Sequence, residues 1–154
     1  MRISKLATQQ LAAAAVLSLS MAQGAFAKTC ELSIEGTDAM QYSTKELTVA
    51  KDCTDVKLTL KHAGKLPKTA MGHNWVLASE KDMQAITTAG MTAGVANDYI
   101  PKDAKIIAHT GLVGGGETST ATFKLADLKA GESYKYFCTF PGHSAIMNGV
   151  FSVK

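Results

Sequence analysis

The ten residues Cys138-Thr139-Phe140-Pro141-Gly142-His143-Ser144-Ala145-Ile146-Met147 join the last two strand-like segments of this sequence. They place a thiol, an imidazole and a thioether on one loop, with the spacing Cys-x4-His-x3-Met. Pro141-Gly142 predicts a turn that brings His143 back toward Cys138. His143 and Met147 are one helical turn apart, so their side chains can face the same side. We therefore expect the three side chains to converge at one end of a β structure.

Short segments in which apolar and polar residues alternate precede this loop along the chain. Turn-forming residues separate the segments, at Gly64, Gly114–Gly116, Ala130–Glu132 and Asn148-Gly149. This regular spacing predicts an all-β fold, an antiparallel sandwich or barrel. The predicted strands are Cys30–Glu35, Val56–Lys61, Trp75–Leu77, Ile106–Ala108, Thr120–Leu125, Tyr134–Cys138 and Val150–Val153.

One segment departs from the strand pattern. Ser79-Glu80-Lys81-Asp82 has a capping residue with an acid three positions later, which predicts a helix start. Met83, Ile86 and Ala89 then follow at helical spacing. We expect a short helical flap from about Glu80 to Thr92, inserted between strands.

Residues 1–27 have the pattern of a cleaved signal peptide. Arg2 and Lys5 give a basic start, Leu11–Leu19 is almost entirely apolar, and Ala25-Phe26-Ala27 supplies the small residues that a signal peptidase recognises. A membrane anchor is the alternative, but the apolar run is shorter than the ~20 residues that a membrane helix needs.

Residues 28–154 have the size of one domain with its own core. Loss of Arg2 and Lys5 lowers the formal net charge from +3 to +1. Such a balance gives no reason to expect nucleic acid or an anionic membrane as a partner. We expect a single exported domain that binds neither.

The chain has three cysteines, an odd number, and export would place them in an oxidising compartment. Cys30 and Cys53 lie near the ends of the first two strand-like segments, so they could pair locally and stabilise the fold by about 3 kcal/mol. Cys138 is then left over, and a free thiol in an exported protein is exposed to oxidation. Pairing between chains is the other outcome of an odd count.

A metal would explain Cys138, and His73 is the best candidate for a further ligand. It lies in Met71-Gly72-His73-Asn74-Trp75, just before an apolar strand. A thiolate and two imidazoles in one plane, with a weak axial thioether, form the ligand set of blue-copper electron-transfer sites.

The segments Met71–Trp75 and Cys138–Met147 resemble the two copper-binding motifs of the azurins, a family of small bacterial cupredoxins. The similarity runs over residues 28–154 and includes the early cysteine pair, the helical flap and Ile107-Ala108-His109-Thr110. It implies a cupredoxin-like Greek-key sandwich with a Cys30–Cys53 disulfide. It also implies a one-electron carrier with a single Cu(I)/Cu(II) ion, and not an enzyme.

The resemblance assigns further roles residue by residue. Cys138, His73 and His143 would be equatorial ligands and Met147 a long axial one, with the Gly72 carbonyl opposite Met147. Asn74, Thr139 and Phe140 would support these ligands. Asn74 would tie the two loops together by hydrogen bonds near Thr139, and the backbone N–H of Phe140 would donate to the Cys138 sulfur.

The resemblance also implies how electrons leave. The edge of the His143 ring would reach the surface within an apolar partner patch, and such a patch fits brief contacts with other redox proteins. These would be c-type cytochromes or copper or haem reductases, met by a monomer in the periplasm. The patch residues are Met40, Leu66, Ala70, Met71, Met91, Phe140, Pro141 and Ala145.

Other histidines and sulfur residues have plainer interpretations. His62 is read as a core histidine or one near the site, where its protonation could bias the potential. His109 is read as a surface residue, Met83 as helix packing and Trp75 as core.

Two other classes of function remain open from the sequence. A copper delivery or storage protein would use similar ligands, although delivery sites are usually exposed. An enzyme could use a Cys138–His143 pair as nucleophile and base, but a catalytic metal keeps an open position and here the strong positions are filled. Zinc would fit the same ligands but has no redox chemistry.

Overall fold

The computed structural model describes residues 27–102 and 105–154. The predicted signal peptide, residues 1–27, therefore lies outside the described residues except for Ala27. Within the described ranges no helix is both long enough and apolar enough to cross a membrane.

The described residues form nine strands and two α-helices, with short 3₁₀-helices between them. The strands are β1 Thr29–Thr37, β2 Gln41–Tyr42, β3 Glu46–Val49, β4 Asp55–His62, β5 Val76–Ser79, β6 Ile106–His109, β7 Thr118–Lys124, β8 Tyr134–Phe137 and β9 Asn148–Val153. The helices are α1 Lys68–Met71 and α2 Met83–Ala93.

The strands form two sheets, in the orders β2-β1-β4-β7 and β3-β9-β8-β5-β6. This confirms the predicted sandwich, and no closed barrel forms among the described strands. The expectation of purely antiparallel sheets was wrong, because β1 pairs with β4 and β3 pairs with β9 in parallel. Between β1 and β4 the chain crosses to the other sheet, where it forms β3. It then returns to the first sheet as β4, which runs beside β1 in the same direction.

The core lies between the sheets and is built from alternate residues of the strands. In β4, Val56, Leu58 and Leu60 are fully buried while the intervening residues face outward. Trp75 is fully buried and stacks near Phe123, with 6.3 Å between ring centroids. This buried layer ends at the segments that carry His73 and Cys138.

The helical flap is present, but its start and its buried face differ from expectation. A 3₁₀-helix, Glu80–Asp82, leads into α2, and the Ser79 side chain makes no capping bond. Its hydroxyl instead donates to the Glu132 carboxylate at 2.8 Å. Ile86 is buried as predicted, whereas Ala89 is exposed.

Three further features were missed or misread. β2 has two residues, too few to show alternation, whereas β3, Glu46–Val49, does alternate and was overlooked. Asn148-Gly149 is not a turn but the start of β9, where a Cβ on Gly149 would lie 2.2 Å from the Tyr136 hydroxyl.

Cys30 and Cys53 form the predicted disulfide.

Candidate metal centre

The loop between β8 and β9 brings three of the candidate side chains together. Cys138 follows β8 directly, and its N–H donates to the Met147 carbonyl at 3.0 Å. A turn at Gly142, which has φ of 82°, leads into a 3₁₀-helix that begins at His143. The N–H of Met147 donates to the His143 carbonyl at 2.7 Å. The loop is therefore closed at both ends by its own backbone.

His73 reaches the same place from a separate segment between α1 and β5. Its backbone exchanges two hydrogen bonds with Val113, at 3.0 and 2.8 Å. Its ring Nε2 lies 2.9 Å from the Thr37 carbonyl, so Nε2 carries the proton and donates it. That bond leaves Nδ1 as the basic nitrogen, and this buried atom has no hydrogen-bond partner among the described residues.

One donor atom from each of His73, Cys138 and His143 lies within 4.8 Å of the other two. Cys138 Sγ is 3.7 Å from His143 Nδ1 and 4.0 Å from the Gly72 carbonyl oxygen. Cys138 and His73 are fully buried and His143 is 3% exposed. The result is a small, buried cluster of one sulfur and two nitrogens, with a carbonyl beside it.

Met147 is placed against the same cluster by Gly36, a residue that sequence reasoning missed. A Cβ on Gly36 would lie 2.7 Å from the His73 ring carbon Cδ2 and 3.0 Å from Met147 Cε. The His73 ring and the fully buried Met147 thioether therefore share the space above this glycine. A glycine near the end of a strand pattern is the available sequence indication of such a close approach.

Asn74 connects the two ligand segments. Its side-chain oxygen accepts from the Thr139 N–H at 2.9 Å, and its amide donates to Thr139 Oγ1 at 2.7 Å. The amide also donates to the Asp98 carbonyl at 2.8 Å. The Tyr42 hydroxyl donates to the Asn74 carbonyl at 2.5 Å, a contact that the sequence did not suggest.

The protonation of the cluster is governed by its burial. Burial raises the pKa of the Cys138 thiol to about 12, and the backbone N–H groups of Asn74 and Phe140, which favour the thiolate, offset part of this rise. Burial also lowers the pKa of His143 to about 4 and lowers that of His73. Both imidazoles are therefore neutral at pH 7 and can act as ligands, and metal binding has to release the thiol proton.

These residues fit copper by the chemistry of their donors. Two neutral imidazoles suit Cu(II), whereas a thiolate and a thioether suit Cu(I). The unpaired, buried Nδ1 of His73 is the observation that most directly requires a partner, because a buried polar atom without one is destabilising.

His62 lies next to the cluster, as expected, but does not contribute a donor atom to it. Its ring is fully buried and lies 4.4 Å from the His73 ring, centroid to centroid. Its Nε2 is 3.1 Å from Asp38 Oδ1. The same carboxylate accepts from the N–H groups of Lys65 and Leu66, at 2.8 and 3.2 Å. Asp38 thus organises the loop beside the site, and sequence reasoning missed it.

The predicted partner patch divides into two groups. Four of its residues line one groove of about 450 Å³ between α2 and the ligand loop; they are Met91, Phe140, Pro141 and Ala145. The other four lie on the neighbouring segments 38–40 and 66–71; they are Met40, Leu66, Ala70 and Met71. The large apolar side chains of Met91 and Leu66 are 54% and 40% exposed, and Ala70, Pro141 and Ala145 are also exposed. His143 is less exposed than expected.

The comparison with known proteins agrees with this geometry. The family model described as copper binding proteins, plastocyanin/azurin family, matches residues 28–154. The chain belongs to this family.

Its relatives in the plastocyanin/azurin family include several azurins. The azurin of Pseudomonas aeruginosa strain PAO1 is 48% identical over 147 residues, covering 95% of this chain and 99% of that protein. Azurin-1 of Alcaligenes xylosoxydans xylosoxydans is 52% identical over 125 residues, covering 80% and 97%. Among solved structures, the azurin Az-iso2 of Methylomonas sp. strain J has a TM-score of 0.78 at 39% identity, covering 81% of this chain and 98% of that one.

Family membership and the cluster together establish the kind of function. The protein is a copper-dependent one-electron carrier with a mononuclear type 1 site, it exchanges electrons with redox partners, and it is not an enzyme. The expectations of an azurin-like fold and of a copper cofactor are confirmed.

Proposed function

We propose that this protein binds one copper ion through His73 Nδ1, Cys138 Sγ and His143 Nδ1. Met147 would be the long axial ligand and the Gly72 carbonyl a weak contact on the other side. The observation that carries the proposal is the set of three buried donors within 4.8 Å of one another, one of which has no hydrogen-bond partner in the part of the chain that the structure describes.

The surrounding residues suit an electron carrier better than a copper delivery protein. When bound, copper supplies the change between Cu(I) and Cu(II). The chain's own part is to hold the donors still, so that neither oxidation state requires rearrangement. Cys138, His73 and His143 are at most 3% exposed, whereas a delivery site needs exposed ligands that exchange readily.

Support for this rigidity comes from the residues behind the ligands. The Thr37 carbonyl fixes the His73 ring, and Asn74 and Thr139 hold the two ligand segments together. The Phe140 N–H favours the Cys138 thiolate. Such outer contacts orient ligands and tune the metal.

Electrons would enter and leave through the edge of the His143 ring. Its Nδ1 faces the Cys138 sulfur, so its Nε2 edge points away from the cluster. The 3% exposure of His143 limits direct contact with a partner to this edge. The apolar partner patch would provide a surface for short-lived docking, which suits rapid turnover of electrons.

We propose that the protein works in the periplasm, as a monomer, between partners such as c-type cytochromes and copper or haem reductases. Residues 1–27 would direct export as a cleaved signal peptide, leaving the mature domain 28–154. The Cys30–Cys53 disulfide supports an oxidising compartment. Neither nucleic acid nor membrane is proposed as a partner.

Protein-film voltammetry of the copper-loaded domain 28–154 tests this function, with the zinc-loaded domain as control. We expect one reversible one-electron wave per chain with copper and none with zinc. A copper form without a reversible wave, or one that gives up its ion to a weak chelator within seconds, would favour copper delivery instead.

A further inference from the structure

Side chains from outside the ligand set hold the three residues between His143 and Met147. Asn148 Nδ2 donates to the Ser144 carbonyl at 2.8 Å and, more weakly, to the Ala145 carbonyl at 3.5 Å. Lys45 Nζ donates to the Ile146 carbonyl at 2.5 Å, from a position 101 residues earlier in the chain. All three carbonyls between the two residues therefore have side-chain donors.

The carbonyls at either end of this segment are bonded to backbone. The His143 carbonyl accepts from the N–H groups of Ile146 and Met147, at 3.1 and 2.7 Å. The Met147 carbonyl accepts from the Cys138 N–H at 3.0 Å. Every carbonyl from 143 to 147 thus has a donor, although backbone alone satisfies only the first and the last.

Lys45 is held in place for this contact. Its carbonyl accepts from the Val150 N–H at 2.8 Å, just before the parallel pairing of β3 with β9 begins. The preceding carbonyl, that of Thr44, accepts from the Tyr136 hydroxyl at 2.8 Å. The base of the lysine is therefore fixed on the strand that follows the ligand loop.

The Lys45 ammonium group is paired with a backbone carbonyl and not with a carboxylate. Most of the ion pairs in residues 27–102 and 105–154 join a lysine to a carboxylate, but no carboxylate lies within 4.0 Å of Lys45 Nζ. The Ile146 carbonyl is its observed acceptor. A hydrogen bond from an ammonium group is stronger than one between neutral groups.

We propose that Lys45 and Asn148 are positioning residues that clamp segment 144–146 and so fix Met147 and His143 relative to Cys138. The clamp itself rests on observed contacts; its link to copper rests on the function proposed above. The position of an axial ligand is one of the factors that set the potential of such a site. Loosening the clamp should therefore change the potential without changing any ligand.

The first test uses metal-free protein and amide hydrogen exchange. In the double variant Lys45→Met/Asn148→Leu, we expect the Met147 and Cys138 amides to exchange about tenfold faster, because the segment that they close opens more often. The amide of Leu58, in the middle of β4, reports global unfolding, and losing the contacts of the clamp can accelerate its exchange by at most the same factor. Faster exchange at Leu58 with unchanged rates at Met147 and Cys138 would mean general destabilisation without opening of the segment and would overturn the clamp, as would unchanged rates at all three amides.

Two matched variants separate the hydrogen bond from the charge. Lys154→Met removes an equal charge from an exposed lysine that pairs with Glu46 at 3.1 Å, so it should leave the Met147 amide unchanged. Lys45→Arg keeps both charge and donor and should restore slow exchange. If the single variants Lys154→Met and Lys45→Met accelerate exchange of the Met147 amide equally, the effect is one of net charge and the proposal fails.

The second test measures the reduction potential of the copper-loaded variants. We expect the potential to shift in Lys45→Met and Asn148→Leu, to shift further in the double variant, and to stay unchanged in Lys154→Met. Faster exchange with an unchanged potential would refute the positioning role. A parent protein without a reversible wave would instead refute the proposed function, and the metal-free exchange rates would still decide whether the clamp exists.

Discussion

Asn74 and Thr139 form two reciprocal hydrogen bonds, 2.7 and 2.9 Å long, between the segment that carries His73 and the loop that carries Cys138. Asn74 is fully buried and Thr139 is 2% exposed, so water cannot replace either bond. The spacing between two proposed ligands that are far apart in sequence therefore depends on one amide side chain.

Replacing Asn74 with leucine should cost about 3 kcal/mol of stability, because buried polar groups of Thr139 and Asp98 would lose their partners. Urea unfolding of the metal-free protein measures this cost. The matched control is Asn97→Leu. Asn97 is exposed, and its side-chain amide donates only to the Ala93 carbonyl among the described residues. This control should change stability by about 0.5 kcal/mol or less. Similar losses in the two variants would contradict the role given to Asn74.

A methyl group at Gly36 should disturb the metal site directly. In Gly36→Ala the added Cβ would lie 2.7 Å from His73 Cδ2 and 3.0 Å from Met147 Cε, so one of these side chains has to move. We expect an altered visible spectrum of the copper(II) form and weaker copper binding. The control is Gly111→Ala, whose nearest neighbour would be the Asp98 carboxylate at 3.3 Å. An unaltered spectrum in Gly36→Ala would show that the site has more room than the structure indicates.

The carboxylate of Glu132 should contribute to stability in a defined pH range. Lys81, Ser79 and Tyr134 lower its pKa from the ordinary 4.5 to about 2, mainly through hydrogen bonds. Because the folded state holds the proton less tightly, this contribution is complete above the ordinary pKa and is lost as the pH falls toward 2.

Glu132→Gln should therefore be less stable than the parent at neutral pH, by an amount that is constant down to about pH 5 and shrinks below it. Unfolding curves across this pH range measure the difference. Glu31→Gln, in an exposed ion pair with Lys57 at 3.4 Å, is the control and should have a smaller effect. If the difference in stability between Glu132→Gln and the parent grew on acidification, the role given to the Glu132 carboxylate would be wrong.

The Cys30–Cys53 disulfide should stabilise the fold chiefly by restricting the unfolded chain, since its cysteines are 23 positions apart. The double variant Cys30→Ser/Cys53→Ser should lose about 3 kcal/mol. This corresponds to a fall in Tm of roughly 10 °C. Calorimetry of the metal-free protein measures it, and the reduced parent should behave like the variant. A loss below about 1 kcal/mol would mean that the unfolded chain is already restricted.

The ligand loop could be found from sequence because its donors lie close together in the chain. Cys138, His143 and Met147 fall within ten residues, and their spacing alone limits how they can face. The longer strands were also found, because burial on one face imposes alternation. His73 could be named as a candidate because it directly precedes an apolar strand, but its own segment does not say which distant residues it meets, and the resemblance to the azurins supplied that.

The contacts that sequence reasoning missed are long-range ones between groups without a distinctive pattern. Any residue can supply the backbone carbonyl that Thr37 offers to His73, and an exposed lysine such as Lys45 is usually solvated. The parallel pairing of β1 with β4 depends on where the chain crosses between sheets. The expected capping by Ser79 failed because Glu132, 53 residues away, offers its hydroxyl a charged acceptor.

The visible and electron paramagnetic resonance spectra of copper(II)-loaded Cys138→Ser test the central claim most directly. If one thiolate shares the metal with two imidazoles, the parent should show an intense sulfur-to-copper charge-transfer band. The variant should lack this band and the reversible voltammetric wave, even where it still binds copper. A variant that kept both would show that the sulfur of Cys138 is not the ligand on which this protein's electron transfer depends.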